Sequence, residues 1–461
     1  MHFDEATVKR LLDESLLIVR EFEDLIDSYV LDFYVENHWN KLPPSWRSTF
    51  KHMPPHVLKE LLIPQCENRV VWPLSLLALR NIIGRLALPR KFNVQNDNDS
   101  MKKSHYSTHP RLKMLISKQV KPKKMHEMDN MAKLCGENAK KYSTVYIVDF
   151  GAGIGHLARR LAFEHHLKVC CIEMKGEFNQ QARQIDQQFI ERGKKYLPPE
   201  CLSNYSKPIH LTMTLTEDIT PEVFIQYIRD AFGLSDCDNF TFGIVGLHPC
   251  GNLTAILLKL FLRIKEAKFL NIIGCCYMKL TTSTEGAQFK GYPLSRYLLN
   301  RPEPLSKLSY EAREAACHAI ENYAMRLETR NYEYLKVHAY RAALERILVK
   351  NWPHFKHAGL RGVKNTELLT FSEYAKMAVA NLSITLNDDE LESEQVQLDL
   401  EIWNHVVIFY TLRLMFAPLV ESIILYDRLL YLMEKGSDAS IKIVFDPTIS
   451  PRNHILIAGK R

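Results

Sequence analysis

The sequence predicts an α/β fold in which helices flank a mainly parallel sheet. Three observations support this prediction. A strand, a glycine-rich turn and a helix follow one another over residues 145–160. Apolar runs then recur at roughly 30-residue spacing with helical segments between them, as in βα repeats. Two late apolar runs, 441–445 and 454–458, enclose a turn-rich segment and indicate a hairpin that completes the same sheet.

Four regions follow from this pattern. We expect a helical N-terminal region over 1–100, a ligand-binding core over 101–280, a large helical insertion over 281–440 and the closing hairpin over 441–461. The strands of the core are predicted at Val145–Val148, Leu167–Ile172, Ile209–Leu215, Phe242–Leu247 and Leu270–Cys275. The insertion helices are predicted at Tyr310–Asn322, Tyr334–Leu348, Phe371–Asn381 and Asp399–Met433.

Length and composition limit the class of protein. The 461 residues suffice for two or three domains, and a hydrophobic content of 46% supports a large core. The N-terminal segment has early acidic residues and no uninterrupted apolar run, so we expect no signal peptide. The most apolar stretch, Val406–Leu432, is interrupted by charged residues, which favours a core helix or helix pair over a membrane span. We therefore expect no membrane association.

The ten cysteines include no CxxC pair, and two adjacent pairs, Cys170/Cys171 and Cys275/Cys276, lie in apolar runs. This usage predicts reduced, mostly buried thiols. Disulfides are rare inside cells, so we expect an intracellular protein, cytoplasmic or nuclear.

The net charge of +7 is mildly basic, and its distribution is uneven. Residues 101–124 carry eight Lys or Arg residues and no acid: Lys102, Lys103, Arg111, Lys113, Lys118, Lys121, Lys123 and Lys124. A solvated face and a phosphate-binding surface beside the ligand cleft are about equally favoured. This stretch slightly favours an RNA or ribosome-associated substrate over a protein substrate. Lys123 and Lys124 are then candidate substrate-binding residues.

The turn after the first strand carries the clearest chemical signal. Asp149 ends the strand, and Gly151, Gly153 and Gly155 follow at alternate positions. Glycine allows positive φ and close approach of the backbone to a ligand, and a helix start adds a positive dipole. Glu173 ends the second strand, 22 residues after Gly151, where an acid accepts hydrogen bonds from ribose hydroxyls. These five residues are the predicted cofactor site.

The glycine spacing distinguishes between two candidate cofactors, NAD and S-adenosylmethionine. The NAD fingerprint is GxGxxG, with Ala tolerated last. Counted from Gly151 the last position is His156, and counted from Gly153 only the relaxed form fits, with Ala158. The carboxylate of Asp149 suits a ligand with an ammonium group and no pyrophosphate. S-adenosylmethionine is therefore preferred, and an NAD-dependent oxidoreductase is the less favoured alternative.

The ends of the fourth and fifth strands are expected to face the acceptor. The candidate catalytic residues there are His248, Cys250, Asn252 and Lys279, and Tyr277 is a candidate for substrate contact. Methyl transfer is an in-line displacement that needs positioning of the nucleophile, with a base where the nucleophile is an amine or hydroxyl.

Four of the residues at these two strand ends are potential zinc ligands: His248, Cys250, Cys275 and Cys276. Successive strand residues point to opposite faces, so Cys275 and Cys276 would not both point inward without a bend. The usual two-pair ligand spacing is also missing. We therefore prefer buried thiols beside a cleft histidine and expect no metal. A covalent Cys250 or a thiolate acceptor is a weaker alternative.

Several segments together resemble the methyltransferase-like protein 25 family, which includes a branch named for a ribosomal RNA adenine dimethylase domain. They are KPKKMHE (121–127), VDFGAGIGHLAR (148–159), GLHPCGNL (246–253), IGCCYMKLT (273–281), GYPLS (291–295), AREAACHAIE (312–321), YRAALE (340–345) and SPRN (450–453). The resemblance implies a class I methyltransferase Rossmann-like sheet and an S-adenosylmethionine-dependent enzyme. The family commonly has Asp where this chain has Asn252. The Asp/Asn-Pro-Pro-Tyr motif of base amino methylation is absent from the fourth strand end, so the dimethylase name is a fold-level analogy.

The sequence thus predicts an S-adenosylmethionine-dependent methyltransferase acting on RNA, a ribosome-associated substrate or protein. The alternative is a methyltransferase-fold binding or scaffold protein without turnover, which Asn252 would favour.

Overall fold

The computed structural model describes Met1 and residues 3–51, 53–63, 69–92, 105–117, 120–202, 205–282, 289–329 and 332–460. Lys102, Lys103 and Lys118 of the basic stretch lie outside the described residues. The chain divides into two compact units. The first comprises residues 1–13, 89–307 and 423–461, and the second comprises residues 14–88 and 308–422. The first unit takes in the beginning and the end of the region predicted as an insertion.

Seven strands of the described residues form one sheet in the first unit, in the order β3-β2-β1-β4-β5-β7-β6. They are β1 Tyr146–Phe150, β2 Lys168–Glu173, β3 Ile209–Thr212, β4 Phe242–Cys250, β5 Ala267–Cys275, β6 Asp438–Ile443 and β7 His454–Gly459. β1 to β5 pair in parallel, whereas β7 is antiparallel to both β5 and β6. The predicted fold class, including the closing hairpin, is confirmed.

Helices pack against the sheet within the first unit, and other helices make up the second unit. Those preceding β1 are α1 Glu5–Glu21, α2 Glu23–Ile26, α3 His38–Lys41, α4 Pro44–Phe50, α5 Lys59–Leu62, α6 Leu74–Leu86, α7 His105–Thr108, α8 Pro110–Ser117 and α9 Pro122–Lys141. Those between β1 and β5 are α10 His156–His165, α11 Gly176–Tyr196, α12 Pro199–Leu202, α13 Pro221–Phe232 and α14 Asn252–Arg263. Those after β5 are α15 Arg296–Leu299, α16 Glu303–Ser306, α17 Tyr310–Ala315, α18 Ile320–Glu328, α19 Glu333–Asn351, α20 Phe371–Ala378, α21 Asp388–Leu391, α22 Glu394–Glu401, α23 Trp403–Leu414 and α24 Ala417–Met433.

The strand order places the predicted ligand turn at a topological switch point. β1 has β2 on one side and β4 on the other, so the connections leave it in opposite directions. A crevice forms at the carboxyl ends of the strands at such a point, and ligands of open α/β sheets bind there. Most residues of β1 and β2 are buried, as is typical of parallel strands covered on both faces.

Two features of the helical segments differ from the sequence expectation. The helix predicted over Tyr310–Asn322 is divided into α17 and α18. The long apolar stretch forms two successive helices, α23 and α24. Together they are long and apolar enough to cross a membrane by length and composition, but 89% of their most apolar window is buried in the structure. Such burial is typical of a core helix pair.

Candidate cofactor and acceptor site

The turn after β1 adopts the conformation that its glycines were predicted to allow. Gly151, Gly153 and Gly155 have φ values of 67°, 56° and 75°, all in the left-handed region. A Cβ atom at Gly151 or Gly153 would meet no atom within 4 Å, so both positions border open space. A Cβ atom at Gly155 would lie 3.0 Å from the ring of His210. The first two glycines therefore border a cavity, and the third allows α10 to pack closely against its neighbours.

A cavity of about 420 Å³ lies against this turn. It is lined by Lys124, Asp149, Gly151, Ala152, Gly153, Ile154, His156, Leu157, Phe178, Gln181 and Leu247. The residues come from α9, β1, the glycine turn, α10, α11 and β4. The structure thus brings the predicted Asp149 and two of the three predicted glycines to one cavity wall.

Asp149 is the buried acid of this cavity, with only 2% of its surface exposed. Burial, with a contribution from Glu173, raises the pKa of Asp149 to about 7, although the cation of Lys124 opposes the rise. A second ionisable group, His156, is held neutral because burial and the nearby cations of Arg159 and Lys124 lower its pKa to about 4. The cavity therefore presents one carboxyl group poised near neutral pH, one lysine and one uncharged imidazole.

Glu173 ends β2 as predicted and fixes the glycine turn. Its Oε2 atom accepts a hydrogen bond of 3.0 Å from the backbone N–H of Gly153, and its Oε1 atom accepts one of 3.1 Å from Lys175. A carboxylate oxygen has two lone pairs, so each oxygen retains acceptor capacity. Glu173 is 9% exposed and is not among the residues lining the cavity. Its role toward a ribose stays a prediction.

A buried ion network that the sequence did not reveal supports the turn from behind. Arg159 of α10 donates hydrogen bonds to Asp186 of α11 at 2.8 Å and to the carbonyl oxygen of Ile154 at 2.6 Å. Asp186 also contacts His210 Nε2 of β3 at 2.6 Å. All three side chains are nearly inaccessible. Only the sheet order brings β3 and α11 together behind the turn, and the sequence spacing of these residues carries no comparable signal.

At the predicted acceptor side, His248 lies near the end of β4 and is oriented by a buried acid. Its Nε2 atom is 2.9 Å from Glu127 Oε1, and the same oxygen accepts a hydrogen bond of 2.7 Å from the Ser450 hydroxyl. Burial alone would raise the pKa of Glu127, but His248, Ser450 and Lys123 lower it to about 2. The carboxylate of Glu127 is thus ionised and holds His248 by one ring nitrogen.

The other predicted acceptor-side residues are placed unequally. Asn252 is engaged with Thr281, accepting from its N–H at 3.0 Å and donating to its hydroxyl at 2.9 Å. Lys279 is exposed. Tyr277 is only 1% exposed, and guanidinium groups of Arg428 and Arg452 lie 5.7 and 5.5 Å from its ring centroid. The structure therefore buries Tyr277 and engages Asn252 locally, and their predicted roles toward a substrate stay predictions.

Three of the four potential zinc ligands, Cys250, Cys275 and Cys276, lie close together. They are more exposed than expected from the sequence. Cys250 is exposed and Cys275 and Cys276 are half-buried, so the interpretation of these residues as buried thiols is wrong. It holds for Cys170 and Cys171, which are inaccessible. Within the cluster, hydrogen bonds from Cys275 and Cys276 lower the pKa of Cys250 to about 5, and the pKa of Cys275 is raised.

The described cations of the basic stretch lie in two different settings, on the exposed surface and at the cavity. Arg111 and Lys113 on α8 are exposed, as is Lys123 at the start of α9. Lys123 lies 3.8 Å from Glu127, whereas Lys124 lines the cavity. Lys124, predicted as a substrate-binding residue, therefore lies at the cavity of the predicted cofactor site.

Comparison with known proteins agrees with this geometry. Residues 123–283 match the family model described as a methyltransferase domain. This part of the chain is thus similar to a methyltransferase domain. The matched range begins in α9 and ends just after β5. The matched range therefore includes the residues lining the cavity, His248 and the three clustered cysteines.

Two curated relatives carry the name "Probable methyltransferase-like protein 25". The protein from Mus musculus is 31% identical over 235 residues, and the protein from Homo sapiens is 30% identical over 232 residues. Each alignment covers 47% of this chain and 37% of the relative. The predicted resemblance to the methyltransferase-like protein 25 family is confirmed, and the matched segment spans well under half of the relatives' length.

Proposed function

We propose that this chain binds S-adenosylmethionine in the cavity of the glycine turn and transfers its methyl group to a macromolecular acceptor. One observation carries the proposal: Asp149 and Lys124 line the same cavity. A carboxylate and an ammonium group are complementary to the ammonium and carboxylate groups at the amino-acid end of the cofactor. The carboxylate of Asp149 would repel a pyrophosphate, which argues against a dinucleotide and thus against the NAD-dependent alternative.

The remaining cofactor contacts follow from the same wall. Gly151 and Gly153 leave room for the ligand, since neither position has an atom within 4 Å of where a Cβ would be. Glu173 has acceptor capacity left for the ribose hydroxyls beside the hydrogen bond from Gly153. The N-terminus of α10 adds a positive dipole that favours the cofactor carboxylate. When bound, S-adenosylmethionine supplies an electrophilic methyl group attached to a sulfonium.

The chain's contribution to transfer is positioning of the acceptor. His248 lies near the end of β4, three residues before Gly251, which connects β4 to α14. Leu247, the residue beside it, lines the cavity. The Nε2 atom of His248 is held by Glu127, which leaves Nδ1 for an acceptor hydroxyl or amine. Positioning an in-line nucleophile supplies most of such catalysis, and removal of an acceptor proton adds to it.

For the acceptor, we propose an RNA or ribosome-associated substrate, supported by the exposed cations Arg111, Lys113 and Lys123 near the start of the domain. A protein acceptor is the alternative outcome of the transfer experiment. We also propose an intracellular location, because the eight cysteines whose side chains the structure describes are all free.

Cofactor binding is tested with one substitution and one matched control. Gly153→Arg should abolish binding of S-adenosylmethionine in calorimetric titration, because the side chain would fill the cavity. Gly233→Arg is the control. It imposes the same kind of backbone strain, since Gly233 also has a positive φ, 65°, and open space around it. Gly233 follows α13 and does not line the cavity, so this variant should keep its affinity for the cofactor. Unchanged affinity in Gly153→Arg, or equal loss in both variants, would refute the placement of the cofactor.

Transfer is tested separately from binding. Methyl-tritiated cofactor is incubated with the protein and with whole-cell RNA or protein fractions, and the labelled fraction is digested to identify the acceptor. His248→Ala should lower the transfer rate by roughly 100-fold or more, with cofactor affinity unchanged. Label in no fraction, together with normal cofactor binding, would favour the scaffold alternative. Tight NAD binding would instead favour an oxidoreductase.

A further inference from the structure

Three cysteine sulfurs meet where β4 and β5 end. The Sγ atoms of Cys250 and Cys275 are 3.3 Å apart, those of Cys250 and Cys276 3.4 Å apart, and those of Cys275 and Cys276 3.6 Å apart. We propose that these three thiolates bind one soft divalent cation of the zinc class. This reverses the expectation drawn from the sequence, which preferred no metal.

The triangle of sulfurs has the dimensions of a metal site. Zn²⁺ bonded to sulfur at about 2.3 Å in a tetrahedron places its sulfur ligands about 3.8 Å apart. The observed separations lie a few tenths of an ångström below that value, so small side-chain rotations bring all three sulfurs to bonding distance. A disulfide has sulfurs about 2.05 Å apart and joins only two of them. It would leave the convergence of the third cysteine without a reason.

The backbone is shaped to direct all three side chains to one point. Cys250 and Cys275 are paired across the parallel strands, next to a register shift between Leu247 and Cys250. In a regular strand Cys276 would point to the face opposite Cys275. Cys276 instead has a φ of 49°, outside the strand, and this left-handed residue provides the bend that convergence requires. Left-handed conformation is unfavourable for a residue with a Cβ, so it is not a default of this segment.

A second positive-φ residue lies at the same place. His248 has a φ of 67°, and its carbonyl oxygen accepts hydrogen bonds from Cys275 Sγ at 3.4 Å and Cys250 Sγ at 3.6 Å. At Gly251 a Cβ atom would lie 2.9 Å from the carbonyl oxygen of Lys279. The two strand ends are therefore held in close contact around the cluster, which preorganises the sulfur ligands.

The site has an open coordination position. Among the His, Cys, Asp and Glu side chains that the structure describes, only these three converge within 4.8 Å of one another here. His248, grouped with them by the sequence, is held at Nε2 by Glu127. Zinc sites with three protein ligands keep the fourth position for water or substrate. Since Cys250 is exposed, an external donor can reach that position.

The three cysteines do not line the proposed cofactor cavity, so metal binding and cofactor binding can be tested separately. The full chain is freed of metal with a chelator under reducing conditions and titrated with Zn²⁺ against a chromophoric competitor. We expect one equivalent per chain. Titration with Co²⁺ should give a thiolate-to-cobalt charge-transfer band and the intense visible bands of tetrahedral coordination.

Three variants and one control identify the ligands. Cys250→Ser, Cys275→Ser and Cys276→Ser should each weaken Zn²⁺ binding by roughly 100-fold or more and reduce the cobalt charge-transfer band, since even residues that only orient metal ligands matter by 10- to 100-fold. Cys237→Ser is the control, because Cys237 is an exposed free cysteine outside the cluster. Circular dichroism verifies folding, and the exposed position of Cys250 makes its variant the decisive one.

The results of these titrations either support the metal site or overturn it. One equivalent of metal that is lost in all three cluster variants and retained in Cys237→Ser supports the site. Absence of Zn²⁺ binding in the fully reduced wild type, or wild-type affinity in any of the three folded variants, would overturn it.

Discussion

The affinity for S-adenosylmethionine should depend on pH through a single buried carboxyl group. Burial raises the pKa of Asp149 above its ordinary value of 3.8 to about 7. The cofactor ammonium requires the ionised carboxylate, and this form makes up about 10% of the free protein at pH 6 and about 90% at pH 8. The apparent dissociation constant is inversely proportional to that fraction, so affinity should rise about 10-fold from pH 6 to pH 8. Isothermal titration calorimetry across this range measures the change.

Asp149→Asn is the matched variant for this experiment. It should bind more weakly at pH 8, by roughly 30-fold or more, because it removes one partner of a buried charge pair. It should also lose the 10-fold rise, so any residual dependence reports titration of the cofactor itself. The side chain of His156 is no confounding factor, since its pKa is lowered to about 4. A wild type without pH dependence, or an equal rise in Asp149→Asn, would refute the assignment.

The raised pKa of Asp149 affects the stability of the free protein in the opposite direction to its effect on cofactor affinity. An acid with a raised folded-state pKa binds protons more tightly in the folded than in the unfolded chain, so its contribution to stability falls as pH rises. The loss takes place between the ordinary value of 3.8 and about 7. Without cofactor, Asp149→Asn should therefore melt at a higher temperature than the wild type at pH 8.

Two further predictions concern residues around the turn. Lys124→Gln should weaken cofactor binding at pH 8 and move the pH midpoint upward, because Lys124 opposes the rise of the pKa of Asp149. Lys123→Gln is its control, since the Lys123 side chain is 51% exposed and pairs with Glu127, so equal effects in both variants would contradict this assignment. Asp186→Leu should destabilise the fold by about 3–5 kcal/mol in urea unfolding, because it leaves the buried Arg159 guanidinium without its partner. Lys141→Gln, which removes an exposed ion pair with Asp438, should have little effect, and a similar loss there would argue against a special role for the buried network.

The sheet was predictable from the sequence because its strands are apolar runs with regular spacing and distinctive turns. Asp149, the glycines and Glu173 follow from the same regularity, since each lies at the end of a parallel strand. The strand bounds shifted by a few residues: β4 continues to Cys250 and β6 begins at Asp438. Hydrophobic periodicity does not mark where a hydrogen-bonded ladder ends.

The acceptor side was less predictable because it depends on departures from regular structure. Strand alternation predicts that the side chains of Cys275 and Cys276 point to opposite faces of the sheet. The left-handed φ of Cys276 breaks this alternation, so that the two side chains converge. Nothing in a sequence specifies such a residue when it is not glycine. Likewise, Glu127 reaches His248 only because α9 packs beside β4, a pairing across 121 residues of chain. Side-chain partners of this kind are set by tertiary packing.

The position of β7 also determines the order in which the sheet can form. β7 lies between β5 and β6, and its pairing of Gly459 with Phe269 joins residues 190 positions apart. During synthesis β5 therefore has an unpaired edge until residues 454–459 have been made. An exposed edge of a buried apolar strand is a template for aggregation, and closing so long a loop is slow. Nascent chains interrupted within the intervening segment should thus need chaperones that shield this edge.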